Sequence, residues 1–260
     1  MFKRFQKDIT QYYTYSIASA RSKLKSEVAN SYLNWIWWIL DPLCFMLIYT
    51  FVFGYVFNAR EQYFPVYIFI GLTMWNFFNK TVQENVRIVK KNKAIVSKVY
   101  FPKYILILTT IWVNGFKMMI SFGLVVGLMI FYQIPVSLNI LFFIPIVLIL
   151  VLFTFGCACF MLHFGVYVED LSHAISILMK VMFYLTGVFY DLSKRIPQIG
   201  TALNEYNPVA FLLTAMRESL IYGTTPNLIL MLVWFVVSVL LVMAGIRKIY
   251  KEENSYIRSI

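Results

Sequence analysis

A lysine deep within an apolar segment is the residue of this chain with the strongest chemical implication. Lys117 lies 13 positions beyond Tyr104, where a long apolar run begins, and this is about 20 Å along a helix. Asn114, Lys117 and Ser121 share one helical face, here called the polar stripe. Charged groups at such depth face a bundle interior or a water-filled cavity. The stripe predicts either a cation that meets a hydroxyl-rich or phosphate-bearing substrate, or a contact to a carbonyl or an acid on another helix.

Aromatic side chains form a second set with binding potential. They make up 18% of the chain, and many lie where Trp and Tyr line a membrane interface. Others are too central or too clustered for that position, and their ring faces can stack on the C–H faces of sugars. Core or lipid contact is the alternative for each one. The predicted substrate path comprises Lys117, Asn114, Ser121, Trp75, Phe78, Tyr184, Phe189 and Tyr190.

Residues capable of metal binding or catalysis are few. His163, Glu169, Asp170 and His173 straddle a short polar turn, where helix capping and contacts to another subunit explain them better than a metal does. Cys157 and Cys159 point about 200° apart on a helix and are interpreted as small buried residues. We therefore expect no catalytic group, metal or cofactor in this chain.

The composition excludes an ordinary soluble domain. Mean hydropathy is +0.72, 60% of residues are hydrophobic and 13% are charged, about half the charged fraction of soluble proteins. The net charge of +11 is distributed beside apolar runs. Its expected partners are anionic membrane lipids and not a nucleic acid.

The basic residues also predict an orientation. Seventeen of the 23 Lys and Arg lie in residues 1–30, 79–104 and 246–260, which alternate with long apolar runs. Basic loops stay on the cytoplasmic side of a membrane. Both termini and the 79–104 loop are therefore expected to face the cytoplasm.

The apolar runs predict an all-α integral membrane protein with six transmembrane helices. One domain, residues 35–260, holds the spans, and residues 1–34 hold an amphipathic interface helix at 8–28. We expect that helix to lie in the membrane plane, with docking on a partner as the alternative. Each span needs about 20 apolar residues. The predicted spans are 35–57, 64–84, 104–132, 138–166, 172–190 and 228–248.

Two connections are predicted to be more than simple loops. Residues 85–103 are basic and form a short helix across the cytoplasmic face. Residues 191–227 are long for a connection, and two short helices re-entering the outer leaflet explain their apolar spacing.

Several short motifs, taken in order, resemble one family. The chain resembles the permease subunits of type 2 ABC exporters for lipid-linked polysaccharides such as O antigen, teichoic acid or capsule. The motifs are Ser31 to Trp38 with Asp41-Pro42, Tyr100-Phe101-Pro102-Lys103, Val168-Glu169-Asp170-Leu171, Gly187-Val188-Phe189-Tyr190, and Asn207-Pro208 with Arg217.

The resemblance implies a homodimer working with two copies of an ABC ATPase in a bacterial cytoplasmic membrane. The sequence has no GxxxxGK[ST] phosphate loop, so ATP is expected on the partner subunit. The expected ATPase coupling residues are Lys90, Lys91, Lys93, Glu169 and Asp170. The expected outer gate comprises Asn207, Pro208, Phe211 and Arg217.

The sequence thus predicts an export permease for a lipid-linked glycopolymer. Three alternatives remain open at this point: a type 2 ABC efflux permease for drugs or lipids, a polytopic membrane transferase, and a plain channel. A transferase needs convergent acid, His or metal groups, and the residue 163–173 cluster is its candidate.

Overall fold

The computed structural model describes residues 2–29, 32–57, 61–98, 101–195 and 198–258, and all regular structure in these ranges is helical. The predicted all-α class is confirmed. Tighter 3-10 turns cover Asn34–Ile36 and Leu138–Phe142, and π-helical turns cover Thr50–Val56 and Glu218–Tyr222. The α-helices are α1 (Phe2–Val28), α2 (Trp37–Tyr49), α3 (Phe64–Val86), α4 (Ile88–Lys91), α5 (Lys93–Val96), α6 (Tyr104–Phe131), α7 (Phe143–Tyr167), α8 (Leu171–Leu185), α9 (Leu192–Arg195), α10 (Gly200–Tyr206), α11 (Pro208–Arg217) and α12 (Leu228–Arg258).

Within the described residues, four helical stretches are long and apolar enough to cross a membrane. They coincide with the first, third, fourth and sixth predicted spans, so the chain is a multi-pass membrane protein. The last helix continues beyond its predicted end, to Arg258. The four stretches are Trp37–Val56, Tyr104–Phe131, Leu138–Tyr167 and Leu228–Glu253.

The second predicted span forms α3, which is a central helix. Val66, Ile68 and Phe69 are completely buried, and α3 packs against α2, α6, α7, α8 and α11. Because other helices surround it, α3 needs no lipid-compatible surface and can carry polar residues. This explains why its sequence is less apolar than those of the four stretches above.

The fifth predicted span, 172–190, is too long by one helical turn. The helix α8 has 15 residues and ends at Leu185. Gly187 follows with a φ of +67°, in the left-handed region that favours glycine. A Cβ there would lie 2.9 Å from the Tyr190 carbonyl oxygen. The apolar residues after Gly187 were assigned to the helix, but the glycine turns the chain before they begin.

Close packing joins α7 to both α12 and α3. A Cβ on Gly245 would lie 2.5 Å from Cys159 Cβ, and Cys159 is fully buried. The interpretation of Cys159 as a small core residue is therefore confirmed. At the end of α7, Gly165 has no room for a side chain, because a Cβ would overlap the carbonyl oxygen of Val86 at the end of α3.

The basic connection at 85–103 contains two short helices where one was predicted. They are α4 and α5, and Asn92 separates them. The Asn92 amide donates to the Ile88 carbonyl oxygen at 2.7 Å, and such local bonds compete with helix continuation. Residues 99–100 lie outside the described residues.

The connection at 191–227 contains α9, α10 and α11, followed by a π-helical turn, instead of the two predicted helices. Asn207 caps α11, its side-chain oxygen accepting from Val209 N at 3.1 Å, and Pro208 occupies the first turn. Phe211 and Leu212 are buried in the core. Helix α11 is thus packed into the bundle and is not an exposed loop. The prolyl bond of the connection, at residues 196–197, lies outside the described residues.

The amphipathic N-terminal helix is confirmed as α1, although it begins at Phe2 and not at residue 8. Ser16 and Ala20 are buried, because this face packs against α6. The edge of the Tyr13 ring meets Trp112 at a centroid distance of 6.0 Å. Helix α1 therefore docks within its own chain, and an orientation in the membrane plane stays a prediction.

A GxxxG motif on α6 has no packing partner within the described chain. Gly123 and Gly127 are exposed, and a Cβ built on either residue meets nothing within 4 Å. The small residues face outward.

One arginine fixes the centre of the bundle. Arg217 is 3% exposed and donates to three main-chain oxygens: Tyr67 O at 3.2 Å, Gly187 O at 2.9 Å and Val188 O at 2.8 Å. Its guanidinium lies 3.6 Å from the centroid of the Tyr67 ring. Arg217 therefore joins α11, α3 and the turn after α8. It holds segments together, whereas the sequence predicted a gate residue.

Replacing Arg217 by Lys should destabilise the protein by about 3 kcal/mol, because an ammonium cannot reach three divergent carbonyl oxygens. Thermal unfolding in detergent would measure the loss. Arg87→Lys, at an exposed position, is the matched control and should unfold as the parent does. Equal unfolding temperatures for the Arg217→Lys variant and the parent would show that the three hydrogen bonds do not hold the bundle.

Candidate functional site

A cavity of about 750 Å³ lies between α1, α2, α3, α6 and α8. Its walls combine aromatic rings, carboxamides, hydroxyls and charged groups. Cavities of this size accommodate ligands of small-molecule dimensions. The lining residues are Glu27, Val28, Trp37, Trp38, Asp41, Pro42, Phe45, Tyr49, Leu72, Thr73, Trp75, Asn76, Phe77, Asn79, Lys80, Gln83, Asn114, Lys117, Met118, Ser121, Ser176, Met179, Lys180 and Phe183.

The whole polar stripe of α6 faces this cavity. Asn114, Lys117 and Ser121 all line it. The Lys117 ammonium also donates to Glu27 at 2.6 Å. The predicted contact to an acid on another helix is confirmed, and Lys117 also lines a cavity, whereas its contact with a substrate stays a prediction.

Two buried oxygens in the cavity wall have no hydrogen-bond partner among the described residues. They are Thr73 Oγ1 and Asn114 Oδ1, on side chains that are 4% and 3% exposed. The Asn114 amide donates to Thr81 Oγ1 at 3.1 Å, which fixes its orientation. Buried polar atoms are nearly always paired, so the wall of the cavity contains two oxygens that lack the partner such atoms normally have.

The predicted aromatic path agrees only in part with the cavity. Trp75 lines it and contacts Phe183 at a centroid distance of 5.6 Å. Phe78 instead stacks on Phe153. Phe189 is buried and stacks on Phe53 at 4.2 Å.

Two tyrosines of the predicted path lie outside the lining as well. The Tyr190 hydroxyl donates to Tyr184 O at 2.6 Å, and the Tyr184 side chain is exposed. Neither lines the cavity. Helical turns and side-chain directions decide which rings reach a cavity, and clustering in the sequence does not reveal them.

A polar face on α3 was missed as part of the site. Asn76, Asn79, Lys80 and Gln83 all line the cavity. They recur at i, i+3, i+4 and i+7, the spacing of one helical face. The 79–104 loop was predicted to face the cytoplasm, and the helical periodicity of the polar residues at the end of this span was overlooked. That periodicity was the signal that could have found the site.

The charges of the cavity nearly balance. Lys80, Lys117 and Lys180 face it together with Glu27 and Asp41. The arrangement leaves one excess positive charge in the lining.

The predicted coupling residues gather at one end of the molecule. Lys90 on α4 pairs with Glu169 at 3.8 Å, and Glu169 is 90% exposed. Lys91 and Lys93 are exposed, as is Asp170 at the start of α8. The structure therefore brings the 85–103 connection next to the turn between α7 and α8.

The predicted outer gate residues have structural partners. Asn207 caps α11 and also donates to Thr186 Oγ1 at 3.3 Å. Nearby, Lys194 pairs with Glu61 at 2.8 Å. The hydrogen bond that Lys194 donates to the Glu61 carboxylate raises the pKa of Lys194. These contacts fix the segment against the helices around it.

The residues once considered for metal binding are dispersed. His163 is buried and lies 2.9 Å from the Tyr256 hydroxyl, whereas Glu169 points to Lys90. No group of three or more His, Cys, Asp and Glu capable of holding a metal occurs among the described residues. His163 therefore joins α7 to α12 within the chain, whereas the sequence predicted helix capping and contacts to another subunit.

Comparison with known proteins agrees with this architecture. A family model for ABC-2 type transporters matches residues 17–221. The O-antigen export system permease protein RfbA of Klebsiella pneumoniae is 26% identical over 202 residues, covering 77% of this chain and 78% of the relative. The protein of the same name from Myxococcus xanthus is 25% identical over 258 residues, covering 99% of each.

The family match includes the second half of α1, the cavity, the coupling residues and α11. It spans well over half of the chain. The chain therefore belongs to the ABC-2 type transporter family.

Proposed function

We propose that this chain is the permease subunit of an ATP-driven exporter that moves a lipid-linked polysaccharide, of the O-antigen or teichoic-acid kind, across a bacterial cytoplasmic membrane. The cavity is the observation that carries the proposal. Its lining includes Thr73 and Asn114, whose buried side-chain oxygens have no partner among the described residues, beside an aromatic wall. Relatives similar over most of their length are named O-antigen export permeases.

The chemistry of the lining suits a sugar. Saccharides offer hydroxyl groups for hydrogen bonds and C–H faces for ring stacking. The carboxamides of Asn76 and Gln83 supply donors and acceptors, and Trp75 and Phe183 supply ring faces. Several weak contacts of this kind let a polymer advance without being trapped, as conduction requires.

The rival functions fit these observations less well. A permease for apolar drugs or lipids would have no use for unpartnered buried oxygens in its cavity wall. A transferase would need convergent acid and imidazole groups, but His163 bonds to Tyr256 while Glu169 pairs with Lys90. A plain channel would need no docking surface for an ATPase.

The proposed assembly has two copies of this chain and two copies of a separate ABC ATPase. In it, α3 and α8 join the four apolar stretches to make six crossings, with both termini in the cytoplasm. The basic segments support this orientation. The outward-facing Gly123 and Gly127 support α6 as part of the seam between two copies, because small residues allow close helix approach.

The ATPase is proposed to press on α4, α5 and the turn between α7 and α8. Exposed Lys91, Lys93 and Asp170 support this surface. On the opposite side of the membrane, α11 and the stacked rings of Phe189 and Phe53 are proposed as the outer gate. The stacking of Phe189 on Phe53 supports a closed position, which polymer would have to displace.

Thr73→Val should lower polymer export about threefold to tenfold while leaving the protein at least as stable as the parent. A ligand hydroxyl would lose one hydrogen bond, while the fold would lose only a buried group that has no partner among the described residues. Export in reconstituted vesicles and thermal unfolding would be measured on the same preparations.

The matched control for this prediction is Thr109→Val. Thr109 is buried but does not line the cavity, and its hydroxyl donates to Ile105 O at 3.2 Å. Its loss should leave export per folded transporter unchanged. If Thr73→Val exports at the parental rate, the cavity does not bind cargo through that oxygen.

Changing Lys90, Lys91 and Lys93 to Glu should weaken capture of the ATPase, because it reverses three charges on the proposed coupling surface. Copurification from membranes at low and high salt would measure this. Adding Glu169→Lys to the triple variant rebuilds the ion pair between positions 90 and 169 with its charges reversed. This should recover the fold near α4 without recovering capture of the ATPase. Reversal of the exposed Arg247 and Lys251 on α12 is the control. Unchanged capture by the triple variant would exclude a charge-dependent dock.

A further inference from the structure

The last two turns of α1 are tied to two different walls of the cavity. Lys23 pairs with Glu84 on α3 at 2.7 Å, and Glu27 pairs with Lys117 on α6 at 2.6 Å. Lys23 and Glu27 are one helical turn apart and carry opposite charges. The end of α1 thus bridges α3 and α6 through two ion pairs, and it supplies the cation in the first and the anion in the second.

The beginning and middle of α1 are held in a different way. Arg4 reaches Glu253 on α12 at 3.0 Å, and the Glu253 side chain is 7% exposed. The Tyr250 hydroxyl donates to Asp8 at 2.6 Å, and Ser16 is fully buried. The Arg4 side chain is 49% exposed, but that of Asp8 is 14% exposed and Ser16 is enclosed by protein, so the Asp8 and Ser16 contacts anchor this part of the helix.

The contacts at the end of α1 are partly open to solvent. The four side chains of the two ion pairs are 25% to 39% exposed. Partly exposed ion pairs contribute little net stability and are screened by salt. The end of α1 is therefore attached by contacts that separate easily, while the rest of the helix stays in place.

The end of α1 also forms part of the cavity wall. Glu27 and Val28 line the cavity together with Lys117, whose charge Glu27 neutralises. Moving this turn away would open the cavity beside the polar stripe. It would also leave the Lys117 ammonium without its described acidic partner.

We propose that the last two turns of α1 are a latch, closed by the Lys23–Glu84 and Glu27–Lys117 pairs, that controls access to the polar stripe. When the latch opens, α1 moves about its buried anchor on α12 and α6. The role of this opening in admitting cargo rests on the proposed function. The latch itself is a property of the helix contacts alone.

A cysteine at Ser121 reports the opening without any transport. Ser121 lines the cavity and is 8% exposed. In a background with Cys44, Cys157 and Cys159 changed to Ala, the rate at which a maleimide labels Ser121→Cys would be measured in detergent. Glu27→Gln should raise that rate about twofold to fivefold, the range expected for losing a partly exposed ion pair. Lys23→Gln should act in the same direction, and rising salt should speed labelling in the parent.

Two controls separate the latch from a general loosening. Lys25→Gln removes a charge from the same turns, at an exposed residue with no ion pair among the described contacts, and should leave the labelling rate unchanged. Glu27→Lys combined with Lys117→Glu rebuilds the pair in reverse and should return labelling to the parental rate. A cysteine at exposed Ser22 should label equally in all variants.

The latch is wrong if Glu27→Gln and Lys23→Gln both label Ser121→Cys at the parental rate, or if the reversed pair labels as fast as Glu27→Gln. These outcomes leave the proposed function untouched. A parent chain that exports no polymer with its ATPase would overturn the proposed function, whatever the labelling rates show.

Discussion

The buried guanidinium of Arg217 is the interaction on which the rest of the bundle depends. Its three hydrogen bonds end on main-chain oxygens, whose positions are set by α3 and the turn after α8. Leaving this charge without partners would be far costlier than placing an ordinary side chain there. The segments that supply the oxygens must therefore stay together. Gly71 completes the arrangement, because a Cβ on it would lie 2.5 Å from the Arg217 Nη2 atom.

The central position of α3 explains how an apolar protein contains a polar cavity. A helix that faces lipid must be apolar, but α3 is enclosed by neighbouring helices. Its carboxamides can therefore point inward, opposite the polar stripe of α6. The two helices supply the hydrophilic surface, and α2 and α8 add aromatic rings. A hydrophilic cavity arises in this way from the inner faces of the bundle.

The sequence predicted the features that stand out against an apolar background. Lys117 was recognisable because a charge inside a span requires a polar environment, and the long apolar runs located four stretches correctly. The end of α8 was missed, because Gly187 acts through local backbone geometry that hydropathy does not contain. The role of Arg217 was missed for another reason. Its partners are distant in sequence, and because every residue has a main-chain oxygen, the residue types do not reveal which ones will accept a hydrogen bond.

The two glycine contacts of α3 have a mechanical consequence. Near one end, Gly71 is pressed against Arg217, and at the other, Val86 meets Gly165 of α7. About 22 Å of helix lies between them, and residues 72–85 contain neither glycine nor proline to bend it. Because both contacts leave no free space, α3 transmits a displacement along its axis with little loss. Force applied to α4, directly beyond Val86, would therefore arrive at the far side of the bundle as displacement of α11.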